Sequence, residues 1–117
     1  MNENLLQFIW RFQYFNKSDL ITTSGEAIEI ITPGSLNLNQ GPDFTDAKIK
    51  IGNTIWAGSV ELHLRTSDWL KHGHERDKNY TNVILHVVYE SDTDSVNNIP
   101  VLELSHRISK SLLQRYS

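Results

Sequence analysis

Apolar residues at the start of the chain recur with helical spacing. Leu5, Phe8, Ile9, Phe12 and Phe15 form one stripe, and Asn4 is placed to cap a helix from Leu5 to Phe15. The spacing then changes to strand-like. Ala27 to Thr32 reads as a short strand ended by Pro33-Gly34. Thr45 to Ile51 alternates, Gly52-Asn53 is a two-residue turn, and a second alternating run extends from Thr54 to Arg65. With that turn, Ile51 faces Thr54, Ile49 faces Trp56, Ala47 faces Gly58 and Asp46 faces Ser59, while Phe44 falls opposite Glu61 and Asp43 near Leu62. One hairpin face carries Ala47, Ile49, Ile51, Trp56, Val60, Leu62 and Leu64, a core face; the other carries Asp46, Lys48, Lys50, Ser59, Glu61, His63 and Arg65.

Beyond the hairpin, Ser67 to Asn79 is polar and helical in character, with Ser67 or Asp68 as its cap. Val83 to Tyr89 is apolar on both faces, as in a strand at the centre of a sheet. A polar loop from Ser91 to Asn98 carries Asp92 and Asp94; Val101 to Leu104 reads as a last strand and Ile108 to Tyr116 as a terminal helix. The expected fold is a single α/β domain over residues 1–117, with a mixed central sheet of about five strands and flanking helices. Arg115-Tyr116-Ser117 gives no clear ending, which suits the N-terminal part of a longer protein.

The hairpin also carries chemistry. Asp43 follows Pro42 at its entry and Glu61 lies on its second strand. Strict alternation turns Asp43 to the wrong face, but Pro42 lacks a ladder donor and ends regular pairing, which frees Asp43 to swing back. Asp46 needs no such help and rivals it. Two carboxylates brought together repel by on the order of 4 kcal/mol at an effective dielectric near 20. A divalent cation or a retained proton relieves that repulsion. The plainer alternative makes Glu61 and His63 solvated residues of an outer face and Pro42-Asp43 a turn.

Pro42-Asp43, a strand turn and then Glu61-x-His63 resemble the motif of the PD-(D/E)XK nuclease superfamily, with His63 where that motif has lysine. The segments GPDF, GSVELH, SDWLKHGHERDKNY and VILHVVYESD resemble, over roughly residues 5–105, an uncharacterised bacterial family known as domain of unknown function 2851. The first resemblance implies a restriction-endonuclease-like core order, α-β-β-β-α-β, and a metal-dependent nuclease or phosphodiesterase. Asp43 and Glu61, or Asp46 in place of Asp43, would then hold Mg²⁺ or Mn²⁺ with the Leu62 carbonyl, and His63 would act as base or metal ligand in place of the lysine. A neutral imidazole is a poor substitute for a fixed positive charge. The alternative is a catalytically silent metal-binding or protein-interaction module of the same shape.

A second cluster competes for a metal: Asp68, His72, His74 and Asp77 lie within ten residues, and His86 is on the next strand. Imidazole and carboxylate suit Zn²⁺ or Mn²⁺. The plain alternatives are a solvated loop for His74 and a core histidine for His86; a strand adjacent to Glu61 would instead make His86 a support for the acid site. Trp10, Phe12, Trp56 and Trp69 read as core or groove walls, with no base-stacking platform.

Charge qualifies the nuclease reading. The formal net charge is −3, and within residues 43–78 Lys48, Lys50, Arg65, Lys71, Arg76 and Lys78 are matched by Asp43, Asp46, Glu61, Asp68, Glu75 and Asp77. No basic stripe for phosphates emerges, so a nucleic-acid partner finds no support in charge. Cysteine is absent, which excludes disulfides and cysteine–zinc sites. Arg11 and Gln13 interrupt the apolar N-terminus, so neither a signal peptide nor a membrane span is read, and a cytoplasmic location is expected.

Overall fold

The computed structural model describes residues 1–71 and 78–116. Helix α1 (Glu3–Phe12) begins two residues earlier than its spacing suggested, because Asn2 rather than Asn4 caps it: the Asn2 side chain accepts the Leu5 N–H at 2.8 Å. Its buried side chains are Leu6, Ile9 and Trp10. The expected stripe is thereby corrected, because Phe8, Phe12 and Tyr14 instead form an aromatic cluster on the outer side, where Phe12 is half exposed. The helix ends at Gln13, which takes a left-handed conformation (φ 59°).

Strands β1 (Ile28–Thr32), β2 (Ser35–Leu36), β3 (Phe44–Ile51), β4 (Thr54–Arg65), β5 (Val83–Glu90) and β6 (Val101–Glu103) form one mixed sheet in the order β1-β3-β4-β5-β6, with β2 also paired to β3. The β1–β3 and β3–β4 pairs are antiparallel; β4–β5 and β5–β6 are parallel. Short helices α2 (Asp68–Lys71) and α3 (Lys110–Tyr116) and a 3₁₀ turn at Lys78–Tyr80 complete the described elements. The chain is therefore the expected α/β domain with a mixed sheet and flanking helices. The two-residue β2, which follows the Gly34 turn (φ +89°), is an addition too short to leave a periodicity signal.

One sheet face packs on α1. Its core joins Leu6, Ile9 and Trp10 to Ile49, Val60, Leu62, Leu85 and Leu102. The opposite face is covered near β4 and β5 by Trp69 of α2, which lies edge-on to His86 with ring centroids 5.0 Å apart. That cover corrects the expected outer face: Ser59, Glu61 and His63 are buried there, whereas Trp56, placed by alternation on the core face, is half exposed beside the hairpin tip.

The β3–β4 register follows the alternation from Ile51↔Thr54 to Ala47↔Gly58 and then shifts: Phe44 pairs with Val60 rather than Glu61. Three steps along β3 span two along β4, so β3 carries one extra residue. Asp46, in the left-handed region at φ 60°, occupies this bulge with its side chain exposed. The bulge, and not Pro42 alone, carries Asp43 to Glu61. Replacing Asp46 by glycine is expected to change stability by less than about 1 kcal/mol, since glycine adopts positive φ freely. Asp46→Val is expected to cost about 1–3 kcal/mol, because a β-branched residue is strained there. Urea unfolding of the two variants measures the difference.

Candidate functional site

Asp43 is delivered to the sheet by a tightly held loop. Asn37 donates from Nδ2 to the carbonyls of Gln40 (3.1 Å) and Pro42 (2.9 Å), and its N–H donates to the Asp43 carbonyl at 2.8 Å. The Tyr80 hydroxyl donates to the Gly41 carbonyl at 3.1 Å. β3 therefore begins only at Phe44, and beyond Val60 strand β4 loses its β3 partner.

Asp43 takes over that edge. Its Oδ2 accepts the Leu62 N–H at 2.8 Å, its Oδ1 accepts from Gln7 Nε2 of α1 at 2.8 Å, and its own N–H donates to Glu61 Oε1 at 3.1 Å. Residues 43 and 61 are thus directly opposed, and the Leu62 carbonyl faces the same edge as its N–H.

Glu61 is almost wholly buried. Burial first, then the hydrogen bond to Asp43 and the repulsion from its charge, push the Glu61 carboxyl up to about 10. Glu61 accordingly keeps a proton at neutral pH. Its Oε2 lies 3.4 Å from His63 Nε2. On the other side of that ring, His63 Nδ1 and His86 Nε2 share a hydrogen bond of 2.8 Å. Glu61 and His86 are register partners across the parallel β4–β5 pair, so their side chains rise on one face. The result is a line of four groups that runs from half-buried Asp43 to the buried Glu61, His63 and His86, with the Trp69 ring against the two imidazoles.

The structure brings Asp43, Glu61, His63 and His86 together and leaves Asp46 exposed at the bulge. Asp68 is engaged elsewhere: its Oδ2 accepts the Arg65 N–H at 3.1 Å, and its Oδ1 lies 3.7 Å from Lys71 Nζ. His72, His74 and Asp77 lie outside the described residues. Among the described residues no group of three or more His, Asp or Glu side chains has an arrangement suited to holding a metal ion.

Sequence reasoning read Trp69 as a core or groove wall, as it is, and missed Gln7 and Tyr80 as members of the site. Only Gln7 leaves a trace, as an amide between apolar neighbours in α1. It also missed that Asp92, in the polar loop, secures α2: its carboxylate accepts from the Ser67 N–H (2.9 Å) and hydroxyl (2.6 Å). The Ser67 hydroxyl in turn holds the Asp92 carboxyl below its ordinary range.

The family model described as protein of unknown function (DUF2851) matches residues 3–117. The chain belongs to that family. No curated protein and no solved structure matches it. In this family member no described helix is long and apolar enough to cross a membrane.

A raised carboxyl has a definite signature in stability. The unfolded chain loses the Glu61 proton near its ordinary value of 4.5, whereas the folded chain keeps it to about 10. The unfolded state then binds fewer protons, so this group's contribution is fully present below about pH 4.5 and declines as pH rises toward 10. The decline has an upper bound of about 1.4 kcal/mol per pH unit. Glu61→Gln, uncharged at every pH, is expected to give a flatter stability curve between pH 5 and 8 (on the order of those bounds) in denaturant titrations. A second expectation concerns the imidazole pair. His86→Ala leaves buried His63 without this 2.8 Å partner and is expected to cost about 2–4 kcal/mol.

Proposed function

We propose that this chain is a divergent PD-(D/E)XK-type domain that binds Mg²⁺ or Mn²⁺ through Asp43 and Glu61 and acts on phosphodiester bonds of nucleic acid. The observation that carries the reading is the opposition of two carboxyl groups at the edge where β3 leaves β4. In the absence of a cation, one of the two stays neutral, as the raised Glu61 carboxyl indicates. Hard oxygen donors suit either cation, and the Leu62 carbonyl on the same edge extends the donor set.

When bound, such a cation supplies polarisation of a phosphoryl oxygen and a lowered pKa for water. The chain's own residues prepare that chemistry. Gln7 and the Leu62 N–H fix both Asp43 oxygens, so this carboxylate is oriented before any ligand arrives. Glu61 has to give up its proton on cation binding, and His63 Nε2, 3.4 Å away, is placed to receive it. Positive surface for the phosphate backbone would come from elsewhere, since the net charge here is −3.

A second reading keeps the cation site and drops the hydrolysis. It is favoured by His63, which occupies the position of the motif's lysine but is engaged on both ring nitrogens. Thermal melting with MnCl₂ or MgCl₂ at pH 6 and 8, paired with cleavage assays on single- and double-stranded DNA, separates the readings. A cation present at a hundred times its dissociation constant is expected to stabilise by about 2.7 kcal/mol. The effect should be larger at pH 8 and be lost in Asp43→Asn and Glu61→Gln. Stabilisation together with cleavage supports the nuclease, and stabilisation alone supports the silent module. No cation-dependent shift at either pH overturns the proposal.

A further inference from the structure

A cleft of about 740 Å³ opens between the tip of the β3–β4 hairpin and the leads into β5 and β6, bounded on its inner side by Trp69 and Tyr80. Its volume falls within the range of small-molecule sites. Its lining joins an aromatic surface, Trp56, to the residues Asn82, Asn97 and Asn98. Trp56 is half exposed although alternation places it with the core. Asn97 and Asn98 both have positive φ (56° and 58°) and form a tight turn closed by the Ile99 N–H on the Val96 carbonyl at 3.1 Å.

The cleft also contains open strand edge. Across a two-residue turn, Ile51 and Thr54 form a hydrogen-bonded pair, so Thr54, Trp56 and Gly58 turn their backbone groups toward β3. Ser59, of opposite parity, donates its N–H to the Asn82 carbonyl on the other side at 2.9 Å. Ala57 shares the parity of Ser59 and lines the cleft, so its N–H and C=O face into it, ahead of the point where β5 begins. A donor and an acceptor side by side match the adjacent donor and acceptor on the edge of a nucleobase. The open edge is short. It ends at Gly58, where an added Cβ would lie 2.5 Å from the Asn82 carbonyl, and at the Gly52-Asn53 turn. That length pairs one planar edge and falls short of an added peptide strand. Among the described residues the charged side chain in the lining is Glu26, which disfavours a phosphate inside the cleft.

We infer that this cleft binds a neutral nucleobase, stacked on Trp56 and paired by its edge to the Ala57 backbone. The cleft shares the Trp69 and Tyr80 walls with the acid site but uses none of its titratable groups, so the inference is tested in EDTA, where failure of the cation reading has no bearing. Amide and indole resonances are followed by ¹⁵N–¹H NMR as adenosine, guanosine or uridine is added. Saturable shifts at the Ala57 amide and Trp56 indole are expected for at least one nucleoside. Stacking of a base on an aromatic ring sets the scale: Trp56→Ala should weaken binding about tenfold or more, and Trp56→Phe should retain most of it. Because Trp56 is half exposed, its variants are expected to melt close to the parent, and the shifts in the unaltered protein are read independently of them. Linear shifts with all three nucleosides, or binding indifferent to Trp56→Ala, overturn the inference. So does saturation of these same resonances by an extended neutral pentapeptide but by no nucleoside.

Discussion

A strand that outruns its neighbour exposes N–H groups that have to find another acceptor. β4 outruns β3 at Val60, and the Asp43 carboxylate meets the need by accepting the Leu62 N–H. Because the N–H of the same residue donates to Glu61, one bonded edge aligns both acids at once. The bulge at Asp46 is what makes that alignment possible, since an unbroken register would set Phe44 against Glu61 instead. The rest of the site is arranged around this junction: α1 supplies Gln7 to the second Asp43 oxygen, and Tyr80 holds the loop through the Gly41 carbonyl.

Burial of this junction has an electrostatic consequence. A buried carboxyl beside a second carboxylate does not stay charged without a counter-ion, and the protein relieves the conflict by retaining the Glu61 proton. The imidazoles extend the same logic into the sheet. His63 and His86 share a hydrogen bond at a depth where a polar nitrogen needs a partner. The Trp69 ring then excludes water from both, with centroids 6.2 Å from His63 and 5.0 Å from His86. If the proposed cation binds at Asp43 and Glu61, its entry would displace the Glu61 proton, so proton and cation binding would be linked events.

How much of this was readable in the sequence depends on the range of each interaction. The hairpin register near Gly52-Asn53 was legible because turn chemistry and side-chain parity act over a few residues. The buried character of β5 was legible from its unbroken apolar run, and its place beside β4 made His86 a neighbour of Glu61. The bulge was not legible, since Asp46 reads as an ordinary polar position until its φ is known. Nor was the burial of Ser59, Glu61 and His63, since the Trp69 ring that packs against His63 comes from a stretch whose pattern is polar. The helix start was misplaced for a local reason: Asn2 and Asn4 are both good caps, and the choice rests on which one sets Leu6, Ile9 and Trp10 against the sheet.

Gly58 explains why two different environments share one strand. Before it, β4 is paired on one side only, and Ile55 and Trp56 are exposed. After it, β5 joins, and Ser59, Val60, Glu61, Leu62 and His63 are all buried. The transition requires the chain before β5 to approach β4 closely, and a Cβ at position 58 would meet the Asn82 carbonyl at 2.5 Å and the Ile84 side chain at 2.7 Å. Glycine removes that obstacle and lets the Ser59 N–H reach Asn82. The bond starts the parallel pairing, whose register then sets His86 beside Glu61. The missing side chain at position 58 therefore determines both where the open edge of the cleft ends and where the line of titratable groups can form.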